Sequence, residues 1–363
     1  MTKTNKLFII TFLALSAIHP ARLFAGNEDR AGQAGATELL INPWARSAGW
    51  GGANAANSIG AEAAFMNVAG IAFTDKTEFA FTNTSWLKGT DVSINSFALS
   101  QKMGESSVFG INMMSVGFGD VPVTTTDLPE GTGARFSPRL MNLGLAYSKA
   151  FSSSIYGGLN VKIISEGISN ASAQGIALDA GIQYVTGLGV AKDGKKNTKN
   201  FRFGIALKNV GPPIRYTGDG LSFKGTVLAT GTNLTVEHRA ERFELPSLVN
   251  IGAAYDYKVN EPLSFTFAGT FTSNSFSRDA FQFGVQADYM KYFMLRFGYN
   301  QEAKSKSQYF ADLQHAYSGP TAGFSINLPL GKDGSSRSFA IDYSVRFTNV
   351  FDNVHSIGAR INL

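Results

Sequence analysis

The sequence predicts an all-β protein: a 14-stranded antiparallel transmembrane β-barrel with an N-terminal plug in its lumen. Three observations predict this fold. The chain opens with an export signal but contains no apolar run long enough for a membrane helix. Its hydrophobicity alternates with a period of two from residue 77 to the C-terminus. Long and short connections follow one another regularly between the alternating segments.

Residues 1–25 have the pattern of a secretory signal peptide. Lys3 and Lys6 precede a twelve-residue apolar run, Leu7–Ile18, and Ala25 ends a short polar stretch where we place cleavage. A membrane helix needs about 20 apolar residues, which no segment supplies. An exported chain of this kind is periplasmic, secreted or an outer-membrane barrel, because a closed barrel is the other structure that satisfies its backbone in lipid.

Composition favours the barrel. The chain has 39 Gly and 29 Phe, and its charged fraction of 16% is below the roughly 25% of soluble domains. Cysteine is absent, which excludes disulfides and thiolate metal sites. The net charge of +5 comes from scattered Lys and Arg, so we expect no nucleic-acid partner.

Residues 26–76 are predicted to form a lead-in and a lumenal plug. The stretch Leu40–Phe73 is rich in Gly, Ala and Asn and lacks the alternation of a strand. One short helix is expected over Ala61–Asn67, with Ser58 as its N-cap. The residues expected to carry the plug are Trp44, Arg46, Trp50, Gly51, Gly52, Asn67 and Gly70.

Residues 77–363 are predicted to form the barrel. Alternation alone also fits a soluble sandwich, but most segments are close to the 9–11 residues of a tilted membrane strand. The predicted strands lie near 77–87, 91–102, 106–118, 138–150, 152–165, 172–186, 200–210, 246–259, 261–273, 278–290, 291–300, 319–329, 337–349 and 354–363.

The connections support a membrane barrel. The long ones, near 119–137, 210–246 and 301–318, follow the third, seventh and eleventh predicted strands. Nearly all connections after even strands are tight turns, as expected for short periplasmic turns and long external loops. One exception, 187–200, contains Lys192, Lys195, Lys196 and Lys199. These lysines could meet acidic lipid headgroups or an acidic partner, or simply form a solvated turn.

The face opposite the aromatic residues is charged. Its ionisable side chains are Lys162, Arg202, Lys208, Asp288, Arg296, Asp342, Arg346 and Arg360. Facing lipid, each midplane Arg or Lys would cost about 2–4 kcal/mol. The lumen is therefore expected to be polar, mixed in sign and suited to a hydrogen-bonding plug.

No catalytic, cofactor or metal site is predicted. His238, His315 and His355 show no metal-ligand spacing. The chain has no GxSxG elbow, no GxGxxG after a strand and no Walker A loop. We therefore expect a protein that is not an enzyme and has no cofactor.

Several stretches resemble known barrels. Ala45–Ala53 (ARSAGWGGA) and Phe65–Phe73 (FMNVAGIAF) resemble the hatch of the FadL-like superfamily of outer-membrane barrels. Phe79–Gln101, Asp127–Lys149, Phe203–Gly211 and Leu245–Tyr257 are similar to the PorV/PorQ family of the Bacteroidetes type IX secretion system. Val68 replaces the usual Pro of the hatch, and Trp50 replaces its usual Met. These departures favour a PorV paralogue over PorV itself.

The resemblance implies an outer-membrane accessory protein of type IX secretion. Such a protein would bind secreted cargo through its C-terminal signal domain at a large SprA/Sov-like translocon barrel and pass it on for surface display. Its partners would be that barrel, the cargo and outer-membrane lipid. The candidate contact residues in the long loops are Pro122, Pro129, Phe136, Pro212, Pro213, Tyr216, Phe223, Tyr309 and Tyr317.

Two alternatives remain open. The first is a FadL-type channel for hydrophobic solutes, which would need an apolar internal pocket. The second is a lipid-modifying enzyme, which would need an activated nucleophile.

Overall fold

Fourteen of the eighteen strands in the described residues close into one antiparallel barrel. The computed structural model describes residues 26–87, 89–190, 197–305, 318–331, 337–348 and 352–363. The strands are β1 (Thr77–Ser85), β2 (Ser93–Met103), β3 (Ser107–Gly117), β4 (Val121–Pro122), β5 (Arg135–Phe136), β6 (Arg139–Ala150), β7 (Ile155–Ile168), β8 (Ala171–Thr186), β9 (Phe201–Val210), β10 (Ser222–Val227), β11 (Thr232–Glu237), β12 (Leu248–Lys258), β13 (Leu263–Asn274), β14 (Ala280–Tyr289), β15 (Phe293–Glu302), β16 (Gly319–Pro329), β17 (Ser338–Arg346) and β18 (Val354–Asn362).

The barrel closes where the first strand meets the last. β1 pairs with β18 from Glu78 opposite Asn362 to Ser85 opposite His355. Each of the fourteen predicted strands overlaps one barrel strand, so the predicted barrel is confirmed. The connections β3–β6, β9–β12 and β15–β16 all leave the same end, which we call the long-loop end. The opposite end is the short-turn end.

The strands alternate between apolar outward and polar or small inward side chains. In β1, Phe79 and Phe81 face outward and are exposed, whereas Ala80 and Thr82 face inward and are buried. The same alternation puts aromatic and aliphatic side chains on the outside of the other barrel strands. The eight ionisable residues predicted to face the lumen all lie on the inward face.

Two of the predicted loops contain hairpins of their own. β4 pairs with β5 inside 119–137, and β10 pairs with β11 inside 210–246. The second hairpin turns at Gly231, whose φ of +66° suits glycine. Thr and Val residues on either side of that turn favour strands. The two short segments pair with each other, so a hairpin forms within the stretch that was predicted as a loop.

The segment 26–76 precedes the barrel and contains only short helices. It has 3-10 turns at Glu28–Arg30, Thr37–Leu40 and Val68–Phe73 and α-helices at Ala45–Ala48 and Ala63–Met66. None of the helices in the described part of the chain is long and apolar enough to span a membrane.

The predicted helix over Ala61–Asn67 is shorter than expected, and its predicted cap is wrong. The helix begins after Glu62 without a side-chain cap, because Gly60 bends the chain at a φ of +76° between Ser58 and the helix. Ser58 instead accepts hydrogen bonds from Gln183 in β8, at its carbonyl oxygen and its hydroxyl.

The segment 26–76 runs from one end of the barrel to the other. The Asn27 amide donates to the Asn274 carbonyl (3.2 Å) at the long-loop end, and Lys76 accepts from Lys102 (2.8 Å) at the short-turn end. Between these points its residues contact the inward faces of the strands. We call residues 26–76 the inner segment.

Candidate functional site

Inward glycines make room for the inner segment. A Cβ on Gly298 of β15 would lie 2.3 Å from the Trp50 carbonyl carbon, and one on Gly204 of β9 would lie 2.6 Å from the Ala55 carbonyl oxygen. On β8, a Cβ on Gly181 would lie 2.1 Å from the Asn67 amide oxygen. The barrel wall can approach the inner segment this closely only because these positions lack side chains.

The predicted residues Gly51 and Gly52 turn the inner segment where it meets the wall. Their φ values are +63° and +91°, in the region that L side chains rarely adopt. Gly51 contacts the backbone of β15, and Gly52 contacts the Gln282 side chain of β14. The two glycines of the GGA sequence in the predicted hatch motif are therefore required by the positive φ angles of the backbone at these positions.

Both tryptophans of the inner segment are buried. Trp44 packs with Ala61 and with Ala80 and Ala98 from the wall. Trp50 packs with Ala53, Ala56, Ala254 and Ala268. These contacts make the two side chains packing residues that fix the segment against opposite parts of the wall.

The remaining predicted plug residues bind within the lumen. Arg46 pairs with Glu62 and also donates to the Ile59 carbonyl. The Asn67 amide nitrogen lies 3.0 Å from the Ala55 carbonyl oxygen, with further wall carbonyls from Ile182 and Ile205 at 3.1 and 3.3 Å. Gly70 lies against the Ser58 carbonyl, where a Cβ would be 2.1 Å away.

Ion pairs satisfy much of the lumenal charge. Arg360 Nε lies 2.7 Å from Asp342 Oδ2, and Lys162 Nζ lies 2.7 Å from Asp179 Oδ1. Arg202 pairs with Asp256. Buried charges are tolerated when they are paired in this way.

Arg296 is fully buried and is held by neutral partners. Its Nε donates to Gln286 (2.5 Å) and its Nη1 donates to Ser325 (2.6 Å). The expected polar, mixed-sign lumen is therefore present.

A cavity of about 140 Å³ lies on the long-loop side of the inner segment. We call it the upper cavity. Its apolar lining comes from Leu40, Phe65, Met66, Leu248 and Ala280, and its polar lining from Asn42, Lys208, Asn250, Thr272, Asn274, Ser277, Gln282, Asn300, Glu302 and Arg346, with Gly51 and Gly52. Lys208 Nζ lies 3.7 Å above the centre of the Phe65 ring, a cation–π contact between wall and segment.

A larger cavity of about 470 Å³, with more charged residues in its lining, lies on the short-turn side. We call it the lower cavity. Charged side chains dominate its lining, including Arg46, Glu62, Arg202, Asp288 and Arg360. The inner segment separates the two cavities, and the lower one has more charged side chains in its lining.

The candidate loop residues do not form one patch. Pro122 and Phe136 belong to the β4–β5 hairpin, and Pro129 lies in the loop that it closes. Pro212 and Pro213 are exposed, and Phe223 stacks on His238 with ring centres 4.5 Å apart. Tyr309 and Tyr317 lie outside the described residues, as do the signal peptide, His315 and Lys192, Lys195 and Lys196.

Tyr216 has a different environment from the one expected of a contact residue. Its hydroxyl donates to the Glu166 carboxylate of β7. Burial and the Glu166 charge raise the pKa of the Tyr216 phenol above its usual range. Tyr216 therefore fastens the loop to the barrel instead of standing free in solvent.

Sequence reasoning did not predict the buried acid Glu38. This residue is 3% exposed in the 3-10 turn Thr37–Leu40. Burial, with the Glu166 charge nearby, raises the pKa of Glu38 to about 7. In the sequence, Glu38 is simply a charged residue followed by Leu39 and Leu40, and this pattern does not indicate that its side chain is buried.

The described residues contain no group of three or more His, Cys, Asp and Glu side chains arranged to hold a metal ion. His238 stacks on Phe223, and His355 Nδ1 lies 2.8 Å from the Tyr343 hydroxyl. Each of the two histidines that the structure describes thus has an aromatic neighbour.

Comparisons by sequence find no relative. No protein-family model matches the chain, and no curated protein matches it significantly.

Comparisons by structure find many barrels. The TodX deltaS2S3 mutant, a monoaromatic hydrocarbon channel, is 13% identical with a TM-score of 0.53, over 88% of this chain and 99% of that one. The toluene transporter TbuX of Ralstonia pickettii is 14% identical with a TM-score of 0.50, over 88% and 96%. The toluene transporter TodX of Pseudomonas putida is 14% identical with a TM-score of 0.50, over 87% and 96%.

Identities this low show the fold alone. Together with the strand topology, these neighbours confirm the predicted FadL-like, 14-stranded antiparallel barrel. They give no support to the finer resemblance to the PorV/PorQ family. The chain has the barrel fold of the hydrocarbon channels TodX and TbuX.

Proposed function

We propose that this protein is an outer-membrane channel for small hydrophobic compounds, which enter from the long-loop end. The upper cavity is the observation that carries the proposal. It places five apolar side chains, Phe65 and Met66 among them, in a barrel whose fold is shared with a hydrocarbon channel and a toluene transporter. None of those neighbours is described as an enzyme, which fits a transport role.

The size of the upper cavity limits the solute. An engineered apolar cavity of about 150 Å³ holds one benzene molecule, and the upper cavity has about 140 Å³. Phe65 and Met66 offer ring and thioether contacts to such a solute. A single aromatic ring or a compound of similar size is therefore the solute we expect.

Passage through the barrel requires the inner segment to move. Ala53, Ala55 and Ala69 of the segment are fully buried, so no open path runs past them. The lower cavity offers a charged lining to a solute that has passed. The inner segment is accordingly the gate of the proposed channel.

Uptake of radiolabelled toluene by intact cells tests the proposal. Cells that express the protein should take up toluene faster than cells with an empty vector. Ala280→Leu, which fills part of the upper cavity with a larger side chain, should lower this rate. The matched control is Phe281→Leu on the next residue, which faces outward, and it should leave the rate unchanged. No uptake above the vector would contradict the proposal.

A second candidate is the accessory role in type IX secretion. The β10–β11 hairpin favours it, because it stands away from the barrel with apolar side chains exposed. Leu228 at its turn is 97% exposed, and Phe223 and Leu234 are about half exposed. Exposed apolar groups of this kind suit contact with another protein.

Gentle purification of the tagged protein tests this second candidate. Mass spectrometry should then find a translocon barrel and secreted cargo with a C-terminal signal domain. Leu228→Ser should reduce their recovery without changing toluene uptake. Toluene uptake with no such partner would support the channel and count against the accessory role.

A further inference from the structure

A buried pair of acids joins three parts of the molecule near the long-loop end. Glu38 belongs to the inner segment and Glu166 to β7, and both are almost fully buried. Tyr216, from the loop between β9 and β12, donates to Glu166 Oε2. The segment, the wall and the longest described loop therefore meet at these acids.

One oxygen of each acid is unsatisfied. Within the described part of the chain, Glu38 Oε1 and Glu166 Oε1 are buried without a well-formed hydrogen bond. The Asn142 amide of β6 lies beside Glu38 and favours its ionised form, but it does not form a hydrogen bond of normal geometry with that carboxylate. A buried acceptor without a partner costs about 1–3 kcal/mol. A proton placed on one of the two acids would turn it into a donor and relieve part of this cost.

The surrounding charges do not neutralise the pair. The charged and titratable groups that act on Glu38 are Glu166 and Lys162 from β7, and Tyr216 faces it from the loop. Lys162 is already paired with Asp179 of β8 and donates to Asn209 of β9. Burial and the Glu166 charge both disfavour the ionised form of Glu38, which is therefore the acid expected to keep its proton.

We propose that Glu38 and Glu166 form a proton-binding junction that fastens the inner segment and the β9–β12 loop to the barrel while it holds a proton, and loosens when the proton leaves. This inference stands apart from the transported solute. The pKa of Glu38, raised to about 7, places the loss of the proton near neutral pH.

The packing around the junction shows what loosening would expose. Ala36 and Leu39 of the segment pack with Ala173 of β8 and with Ile214 of the loop. The Gly35 amide donates to the Glu244 carbonyl (3.0 Å), and Arg30 pairs with the Glu244 side chain (2.7 Å). Departure of the segment and loop would therefore uncover Ala173.

Single-cysteine labelling can detect this change, because the chain has no cysteine of its own. We would introduce Ala173→Cys into the full-length protein in detergent and measure its reaction with a maleimide from pH 5.5 to pH 8.5. Ser172→Cys is the matched control. Ser172 precedes Ala173 in β8 and is already exposed, so its labelling should not depend on the departure of the segment and loop. The ratio of the two rates removes the effect of thiol ionisation.

The ratio should rise about tenfold or more across this range, since each unit of pKa shift corresponds to a factor of ten in equilibrium. In the Glu38→Gln background the ratio should stay low at every pH, because the amide cannot ionise. A constant ratio in the wild-type background would overturn the proposal. So would an equal rise in the Glu38→Gln background.

Thermal unfolding gives an independent readout. The folded protein binds the Glu38 proton more tightly than the unfolded chain does, so this stabilisation is full below about pH 4.5 and is lost as the pH rises through about 7. Glu38→Gln should match the wild type at pH 5 and exceed its unfolding midpoint at pH 8.5. Glu62→Gln should instead be less stable than the wild type at both pH values, because Arg46 loses its partner. If Glu38→Gln were no more stable than the wild type at pH 8.5, the proposal would be wrong.

Discussion

Gly298 lies against Trp50 so closely that a Cβ on Gly298 would be 2.3 Å from the Trp50 carbonyl carbon. This contact joins the wall to the inner segment at mid-height. Since real Cβ atoms essentially never approach other atoms so closely, the wall or the segment would have to shift. At Gly298, the lumen is therefore just wide enough to hold the backbone of the inner segment, and a side chain would not fit.

Gly298→Ala should displace the inner segment. We expect the loss of stability to be about 1–3 kcal/mol, as for other overpacked sites. Samples are heated to a series of temperatures and then run on a denaturing gel, on which folded and unfolded barrels migrate differently. The measurement is the temperature at which half of the folded band is lost. Gly269→Ala on β13 is the control, because its Cβ would meet only ordinary contacts at 3.7 Å or more. Equal effects of the two substitutions would show that the Trp50 contact is unimportant.

Asp342→Asn should destabilise the barrel strongly. It leaves the buried Arg360 without its charged partner 2.7 Å away, and breaking a buried pair in this way costs about 3–5 kcal/mol. The same unfolding assay measures it. Glu261→Gln removes an exposed carboxylate from its pair with Lys258 and should change stability little, since exposed pairs contribute about 0–1 kcal/mol. A small effect of Asp342→Asn would mean that water reaches Arg360.

Asn67→Asp should loosen the inner segment although the two side chains have nearly the same shape. The amide nitrogen of Asn67 lies near three carbonyl oxygens, and an ionised carboxylate there would face these acceptors without a proton to donate. Asn83→Asp, on an exposed amide that donates to Asn95, is the control. Greater protease sensitivity of the inner segment in Asn67→Asp alone is the expected result.

The barrel could be predicted from the sequence because its pattern is local. Phe79 and Phe81 alternate with Ala80 and Thr82, and such alternation fixes which face of a strand is apolar. The predicted inward position of Arg296 followed from the same rule. The β10–β11 hairpin was not predicted, because its residues lie in a stretch whose pattern is also typical of a loop.

The interior could be predicted only in outline. Gly51 and Gly52 were recognisable from a motif, but the contact of Gly298 with Trp50 joins residues far apart in sequence. The junction of Glu38 with Glu166 is equally long-range, and neither acid has a distinctive neighbourhood in the sequence. Tyr216 looked like a loop residue for partner contact because nothing in the sequence placed Glu166 beside it.

The expected PorV-like role depended on motif resemblance, and the comparisons do not support it. The fold itself is shared with hydrocarbon channels. The upper cavity places the apolar side chains Phe65, Met66 and Leu248 beside a larger number of polar ones. The channel is therefore the better-supported of the two functions.

The most direct test of the channel is toluene uptake with the inner segment locked and unlocked. Ala55→Cys with Gly252→Cys would place two Cβ atoms about 3.1 Å apart, near the usual 3.5–4.5 Å of a disulfide. Cells with the wild-type protein should take up toluene faster than vector cells. The oxidised double variant should fall to the vector rate and recover with reductant. Uptake by wild-type cells no faster than by vector cells would contradict the proposed function.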